Sequence, residues 1–274
     1  MSKFKSFLAT EIDNYILFQK ASNHWNESSY EENLLLFDRY CKKNYPLQEV
    51  LTQEIIDRWC EKRPTEKNNS CRSRIAVVVS FIRYLKKRRL TEVSEPIVPR
   101  KEKSTYIPHV FTETELKKFF YACDTLPSKP YGKHVISRKI KIPVFFRLLY
   151  STGLRTNEAR MLKVENVDLE NGVINIEYTK GYNQHFVVMH DTMKDLLIEY
   201  DNAINKLCPN REYFFSARNG SYHTRSWVSK NFRELWDKYN TSYATAYQLR
   251  HNYAIANINK WTCDGLISTK GYFT

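Results

Sequence analysis

Residues 151–162 read STGLRTNEARML, and the fold turns on what the Gly-Leu-Arg break does there. The flanks KIPVFFRLLY (141–150) and EARMLKVENV (158–167) carry apolar side chains at helical spacing. Such a break is either a plain turn between helices or a way of holding one guanidinium, that of Arg155, against a ligand. What the rest of the chain sets beside Arg155 decides between them.

The chain has 274 residues, room for two compact domains. A hydrophobic content of 42% with 14% aromatics supports a folded protein, and only 7 glycines and 9 prolines point to long regular elements. The six cysteines are scattered without a CxxC pair, and the seven histidines show no metal-ligand spacing. Disulfide, metal and cofactor frameworks are therefore not expected. No apolar run approaches the roughly 18 residues of a membrane span, and Glu11 and Asp13 come too early for a signal peptide. The expectation is a soluble, cytoplasmic protein. Lys+Arg 43 against Asp+Glu 30 gives a formal charge of +13, which calls for a polyanionic partner, most often nucleic acid.

Residues 1–90 read as four helices: 3–22, one following Ser28-Ser29, one opened by Thr52 as a cap, and one over about 68–90. Residues 62–89 hold ten Lys/Arg and a single acid, Glu66, beside an apolar side of Ile75, Val78, Val79, Phe81, Ile82 and Leu85. So many like charges need a counter-charge, and a DNA backbone supplies one. Arg72, Arg74, Arg83, Lys86, Lys87, Arg88 and Arg89 are the candidate phosphate contacts. Pro96, Pro99 and Pro108 break the helical pattern over 91–110, a basic interdomain linker. A second domain, 111–274, opens with a capping-box pattern at Thr112 and Glu115. Within it GVINIEY (172–178) and HFVVMH (185–190) are β-rich runs joined by TKGYNQ, and VDLENG (167–172) is a tight turn. Two or three antiparallel strands follow from this, then helices near 191–206, 225–239 and 245–260. The fold class is mainly α, with one small antiparallel sheet in the second domain.

Three motifs line up in order: TGLRTNE (152–158), TKG (179–181) and YQLRHNYA (247–254). They present Arg155, Lys180 and Arg250. Unpaired cations gathered at one place are costly unless they surround an anion, and Arg forks suit the non-bridging oxygens of a phosphate.

In these motifs the chain resembles the tyrosine recombinases, or phage integrases, across nearly its whole length. The resemblance implies a helical core-binding domain, a linker, and an α-rich catalytic domain with a small sheet. It implies Arg155 as the first catalytic arginine braced by Glu158, Lys180 as the hairpin lysine, Arg250 as the second arginine, and His251 as a supporting histidine. Where the family has His or Lys three residues before the second arginine, this chain has Tyr247, a poor base at neutral pH. The tail ISTKGYFT resembles the end of the family's third box and places the nucleophile at Tyr272, with Cys263 where the family has His or Trp. The interval from Arg250 to Tyr272 is ten or more residues short of the family's, so the catalytic domain reads as truncated at its C-terminal end.

The function implied is site-specific recombination or integration for a phage or mobile element, through a 3′-phosphotyrosyl intermediate. It takes double-stranded DNA, a homotetramer assembled on it, no cofactor, no metal, no membrane and no small-molecule substrate. Two alternatives share the motifs: a cleavage-deficient derivative that only binds DNA, and a type IB topoisomerase-like relaxing enzyme.

Overall fold

The computed structural model describes residues 2–22, 30–103, 105–127, 132–177 and 184–264. The chain forms two compact units, Met1–Thr105 and Tyr106–Thr274.

In the first unit four helices, α1 (Ala9–Ala21), α2 (Glu32–Asn44), α3 (Gln53–Cys60) and α4 (Asn68–Lys87), enclose one core. The helical spacing of Val78, Phe81, Ile82 and Leu85 gives α4 its inner face, buried against Tyr15, Phe37 and Trp59. Thr52 stands at the N-terminus of α3 in extended conformation, but its hydroxyl makes no capping bond. Burial of Leu51, Ile55 and Ile56 fixes that end instead. The proline-rich segment does not leave the unit at residue 90. Val93 is buried in the same core, and residues 94–102, neither helix nor strand, run beside α3 and α4. Gln53 accepts the Ser94 N–H (2.8 Å), Arg72 donates to the Pro99 carbonyl (2.6 Å) and Asn68 to that of Arg100 (2.8 Å). The Asn69 side chain pairs with both the N–H and the carbonyl of Glu102, at 3.0 Å each.

The second unit opens on α5 (Glu113–Asp124), where Thr112 and Glu115 form the reciprocal capping box that their spacing announces. Helix α6 (Lys133–Thr152) is the central element and buries Ile142, Phe145, Phe146, Leu148 and Leu149. It stops because Gly153 takes φ +63°, a left-handed turn that favours glycine. Helix α7 (Thr156–Arg160) is only one turn long, not the helix that the flank EARMLKVENV suggests. The reason is a competing strand-like pairing: the Phe214 N–H reaches the Leu162 carbonyl (2.8 Å) and the Val164 N–H that of Glu212 (3.0 Å). Three antiparallel strands follow, β1 (Val167–Asp168), β2 (Val173–Ile176) and β3 (His185–Val188), in the order β1-β2-β3 with Val167 opposite Ile174 and Ile176 opposite His185. Helices α8 (Asp191–Asn205), α9 (Arg225–Trp236) and α10 (Tyr247–Cys263) complete the unit. The core joins Phe119, Phe145, Phe146, Phe232 and Trp236. Helix α10 continues to Cys263, past the expected end near 260, and buries only Gln248 and Leu249.

Candidate DNA-phosphate site

Residues 153–158 and the first two turns of α10 meet although nearly a hundred positions separate them. Arg250 Nη1 donates to the Gly153 carbonyl at 2.5 Å. One turn further along α10, the Tyr253 ring lies so close to Gly153 that a Cβ there would overlap Cδ1 and stand 2.9 Å from Cγ. The sequence therefore needs glycine twice at this position, for the left-handed turn and for the ring.

Arg155 is the N-cap of α7, half-exposed, with its side chain 39% accessible. Glu158, three residues on and 2% accessible at its side chain, holds it from below. One carboxylate oxygen accepts the Arg155 backbone N–H (2.8 Å), the other accepts Nη1 (2.7 Å). The brace expected of Glu158 is thus a double one, to main chain and side chain. It raises the guanidinium's pKa above its ordinary value, and Tyr247 lies near enough to add to that shift. Tyr247 is 46% exposed and meets His251 edge to face, ring centroids 5.1 Å apart. Arg155, Glu158, Tyr247, Arg250 and His251 therefore belong to one neighbourhood. Arg250 donates to a neutral carbonyl, not to a carboxylate, and the Arg155 side chain is 39% accessible beyond its bond to Glu158. Two such forks can each take non-bridging oxygens of one phosphate.

Supports that sequence reading did not single out surround this neighbourhood. Gln248 is buried, accepting the Thr245 N–H (2.6 Å) and donating to the Tyr106 hydroxyl (2.7 Å), which seats the first turn of α10. Arg160, the last residue of α7, is buried and donates to Asn157 (2.9 Å) and to the His223 carbonyl (2.8 Å). The i, i+3 spacing of Arg250 and Tyr253 puts both on one side of α10, but no sequence signal directs that side at Gly153. Lys180 and Tyr272 lie outside the described residues; β2 and β3 pair on either side of the segment that contains Lys180. Cys263 is the exposed last residue of α10. Among the described residues no group of His, Cys, Asp or Glu is placed to hold a metal, and no helix is long and apolar enough to cross a membrane.

In the first unit, one expected phosphate contact is corrected. Arg74 is 2% exposed, pointing inward: it donates to Glu66 (2.7 and 2.9 Å), to the carbonyls of Trp59 and Glu61, and lies over the Trp59 ring. Its spacing puts it on the apolar face of α4, where a guanidinium survives only if fully bonded. The hydrogen bonds from Arg74 hold the Glu66 carboxyl down at about 2. Arg72 is tied to Pro99, Arg83 pairs with Glu95 (2.8 Å), and Arg88 lies over the Tyr84 and Phe18 rings. Lys86, Lys87 and Arg89 are exposed at the C-terminal end of α4.

The sequence profile of the phage integrase family matches residues 109–261, more than half of the chain and including both arginine motifs. The chain belongs to the phage integrase family. It is 24% identical over 242 residues to the tyrosine recombinase XerC of Lactobacillus delbrueckii subsp. bulgaricus, covering 84% of this chain and 78% of that one. A tyrosine recombinase of Agathobacter rectalis is 23% identical over 267 residues, 90% of this chain and 82% of the relative. Among solved structures, lambda integrase bound to DNA superposes with TM-score 0.63 at 16% identity, covering 100% of this chain and 92% of that one. The XerH recombinase in its pre-cleavage complex with difH superposes with TM-score 0.59 at 20% identity, covering 85% and 69%. The mainly α fold with one small sheet is that of these integrases.

Proposed function

We propose that this phage integrase family member is a site-specific recombinase that cuts and rejoins double-stranded DNA through a 3′-phosphotyrosyl bond. The observation that carries the reading is the hydrogen bond from Arg250 to Gly153, two residues from Arg155, which joins the two arginine motifs at one place. In this reading Arg155 and Arg250 stabilise charge on the equatorial oxygens of the scissile phosphate as the transition state forms. The Tyr272 oxygen attacks phosphorus in line, its proton leaving to solvent, while the bond to the 5′ oxygen breaks and Lys180 protonates that oxygen. A second 5′-hydroxyl reverses the step, so the phosphodiester is conserved without a nucleotide or metal. Tyr247 and His251 hydrogen-bond the phosphate in supporting roles.

The first unit, residues 1–105, acts as the core-binding domain and residues 106–274 as the catalytic domain; of the linker expected over 91–110, residues 91–102 pack with the first unit. Arg83, Lys86, Lys87, Arg88 and Arg89 are exposed in the α4 cluster and contact phosphates, Arg72 lying beside them with its guanidinium on the Pro99 carbonyl. Recombination cuts two duplexes, and a solved lambda integrase tetramer is bound to a Holliday junction; a DNA-assembled homotetramer is the corresponding expectation for this protein, acting in the cytoplasm.

The test is a nicked suicide duplex on which religation is blocked. The protein becomes covalently trapped on DNA, Arg250→Ala and Tyr272→Phe abolish trapping, and gel-shift affinity stays within about threefold, since the forks act on transition-state charge. DNA binding without trapping in the unaltered protein would sink cleavage while leaving the binding reading.

A further inference from the structure

We propose that Tyr253 is a positioning residue that locks the Arg155 turn to α10 through Gly153. The inference rests on the reading of Arg155 and Arg250 as partners of one phosphate. It deepens that reading by saying what fixes their separation.

The two guanidiniums sit on different supports. Arg155 is fixed to its own short helix by Glu158, and α7 is a single turn whose end is taken up by pairing with residues 212–214. Arg250 stands on α10, whose first turn is seated by Gln248 and Leu249, the two buried residues of its seventeen, which leave the helix beyond them to be fixed. Neither support alone determines the distance between the forks. What connects them is Gly153. Its carbonyl takes Arg250 Nη1, and the face above its Cα takes the Tyr253 ring. Residues 250 and 253 are three apart, so both project from the same side of α10. A hydrogen bond by itself leaves the helix free to swivel about the carbonyl. A flat ring pressed on the glycine one turn away removes that swivel, because the ring can lie there only at one setting of α10 against residues 152–155.

Half-buried Tyr253 acts through its contact with Gly153, and its backbone carbonyl, which accepts from the Asn257 side chain (2.8 Å), is ordinary helix structure. The ring, not the hydroxyl, does the positioning. The ring also explains why asparagine, the other residue at home in a left-handed turn, does not serve at 153: its Cβ would strike Tyr253.

The experiment compares Tyr253→Ala and Tyr253→Phe in the full chain by two readouts. The first is amide hydrogen exchange in the free protein. In Tyr253→Ala the Gly153 and Arg155 amides, bonded to the Leu149 carbonyl and to Glu158, exchange at least about tenfold faster, while Ile174 and Ile176 in β2 keep their rates; local opening has this signature and global destabilisation does not. Tyr253→Phe restores the slow exchange. The second readout is trapping on the suicide duplex at saturating DNA. Tyr253→Ala lowers the rate at least about tenfold with DNA affinity little changed, the mark of lost orientation, and Tyr253→Phe recovers it. Unchanged exchange at 153 and 155, or equal acceleration through the whole second unit, overturns the proposal. If the unaltered protein forms no adduct, the recombinase reading fails, and the exchange arm still decides the role of Tyr253.

Discussion

Arg155→Ala is the obvious probe of the phosphate site, and the structure says that it will also disturb the fold. Glu158 has 2% of its side chain accessible, and its two oxygens are held by the Arg155 N–H and by Arg155 Nη1. Truncating the arginine keeps the first bond and removes the second, leaving half of a buried carboxylate unpaired. Removing one partner of a buried pair costs about 3–5 kcal/mol when the other is left wholly uncompensated. The surviving N–H bond and the half-exposed position of the guanidinium reduce this to about 2–3 kcal/mol. Glu158→Gln keeps an acceptor for the N–H and carries no charge to strand, so its cost is about 1 kcal/mol. Because both changes break the same contact, the double variant should cost about 1–2 kcal/mol, less than Arg155→Ala alone. Urea denaturation of the four proteins measures this directly, with equal m-values confirming that the same transition is compared. Strict additivity, or an Arg155→Ala protein within about 0.5 kcal/mol of the parent, would falsify the claim that Glu158 depends on Arg155. For catalysis, the double variant is the cleaner control.

Three further outcomes follow from other sites. Burial, with Lys141 nearby, pushes His223 down to about 4 from its ordinary 6.5, so unfolding takes up a proton between those values and stability falls as pH drops from 6.5 to 4; His223→Phe, which keeps the stack on Trp227, should remove on the order of 2 kcal/mol of that dependence in denaturation curves at pH 7 and pH 4. In the first unit, replacing Lys86, Lys87 and Arg89 by Ala should reduce the slope of log affinity against log salt by about 2–3 without lowering the melting temperature, whereas Arg74→Ala should cost about 3–5 kcal/mol of stability by stranding Glu66; an Arg74→Ala protein that melts normally and has a shallower salt slope would reverse the assignment of that residue.

Much of this was readable in the residues, and the exceptions share a cause. Local signals worked where local interactions decide. The Thr112–Glu115 spacing is a capping box because both partners lie in one turn, and β2 and β3 follow their alternation because the hairpin pairs neighbours. The Gly-Leu-Arg break was legible for the same reason: a left-handed glycine ends α6 whatever surrounds it. Sequence reading failed where a distant segment intervened. Helix α7 is short because residues 212–214 capture its continuation. Arg74 reads as one cation among ten; its spacing sets it four residues before Val78 on the apolar face, but the partners that let it stay there, Glu66 and the Trp59 carbonyl, are visible only in three dimensions. At the site, the motifs identified Arg155, Glu158 and Arg250, but the Gly153–Tyr253 contact spans a hundred residues and no spacing rule reaches that far.

The way α4 holds the segment after it has a consequence for how freely that segment can drift. Asn68, Asn69 and Arg72 grip the main chain of residues 99–102, through carbonyls and one N–H, and ignore its side chains. Arg100, Lys101 and Glu102 all point into solvent. Substitution along this stretch can therefore alter charge or bulk while the chain follows the same path, since every residue offers the bonded carbonyls and only position 102, whose N–H is bonded, bars proline. Variation on the other side of the contact has no such latitude: each change at 68, 69 or 72 removes a bond that the segment cannot replace from within itself.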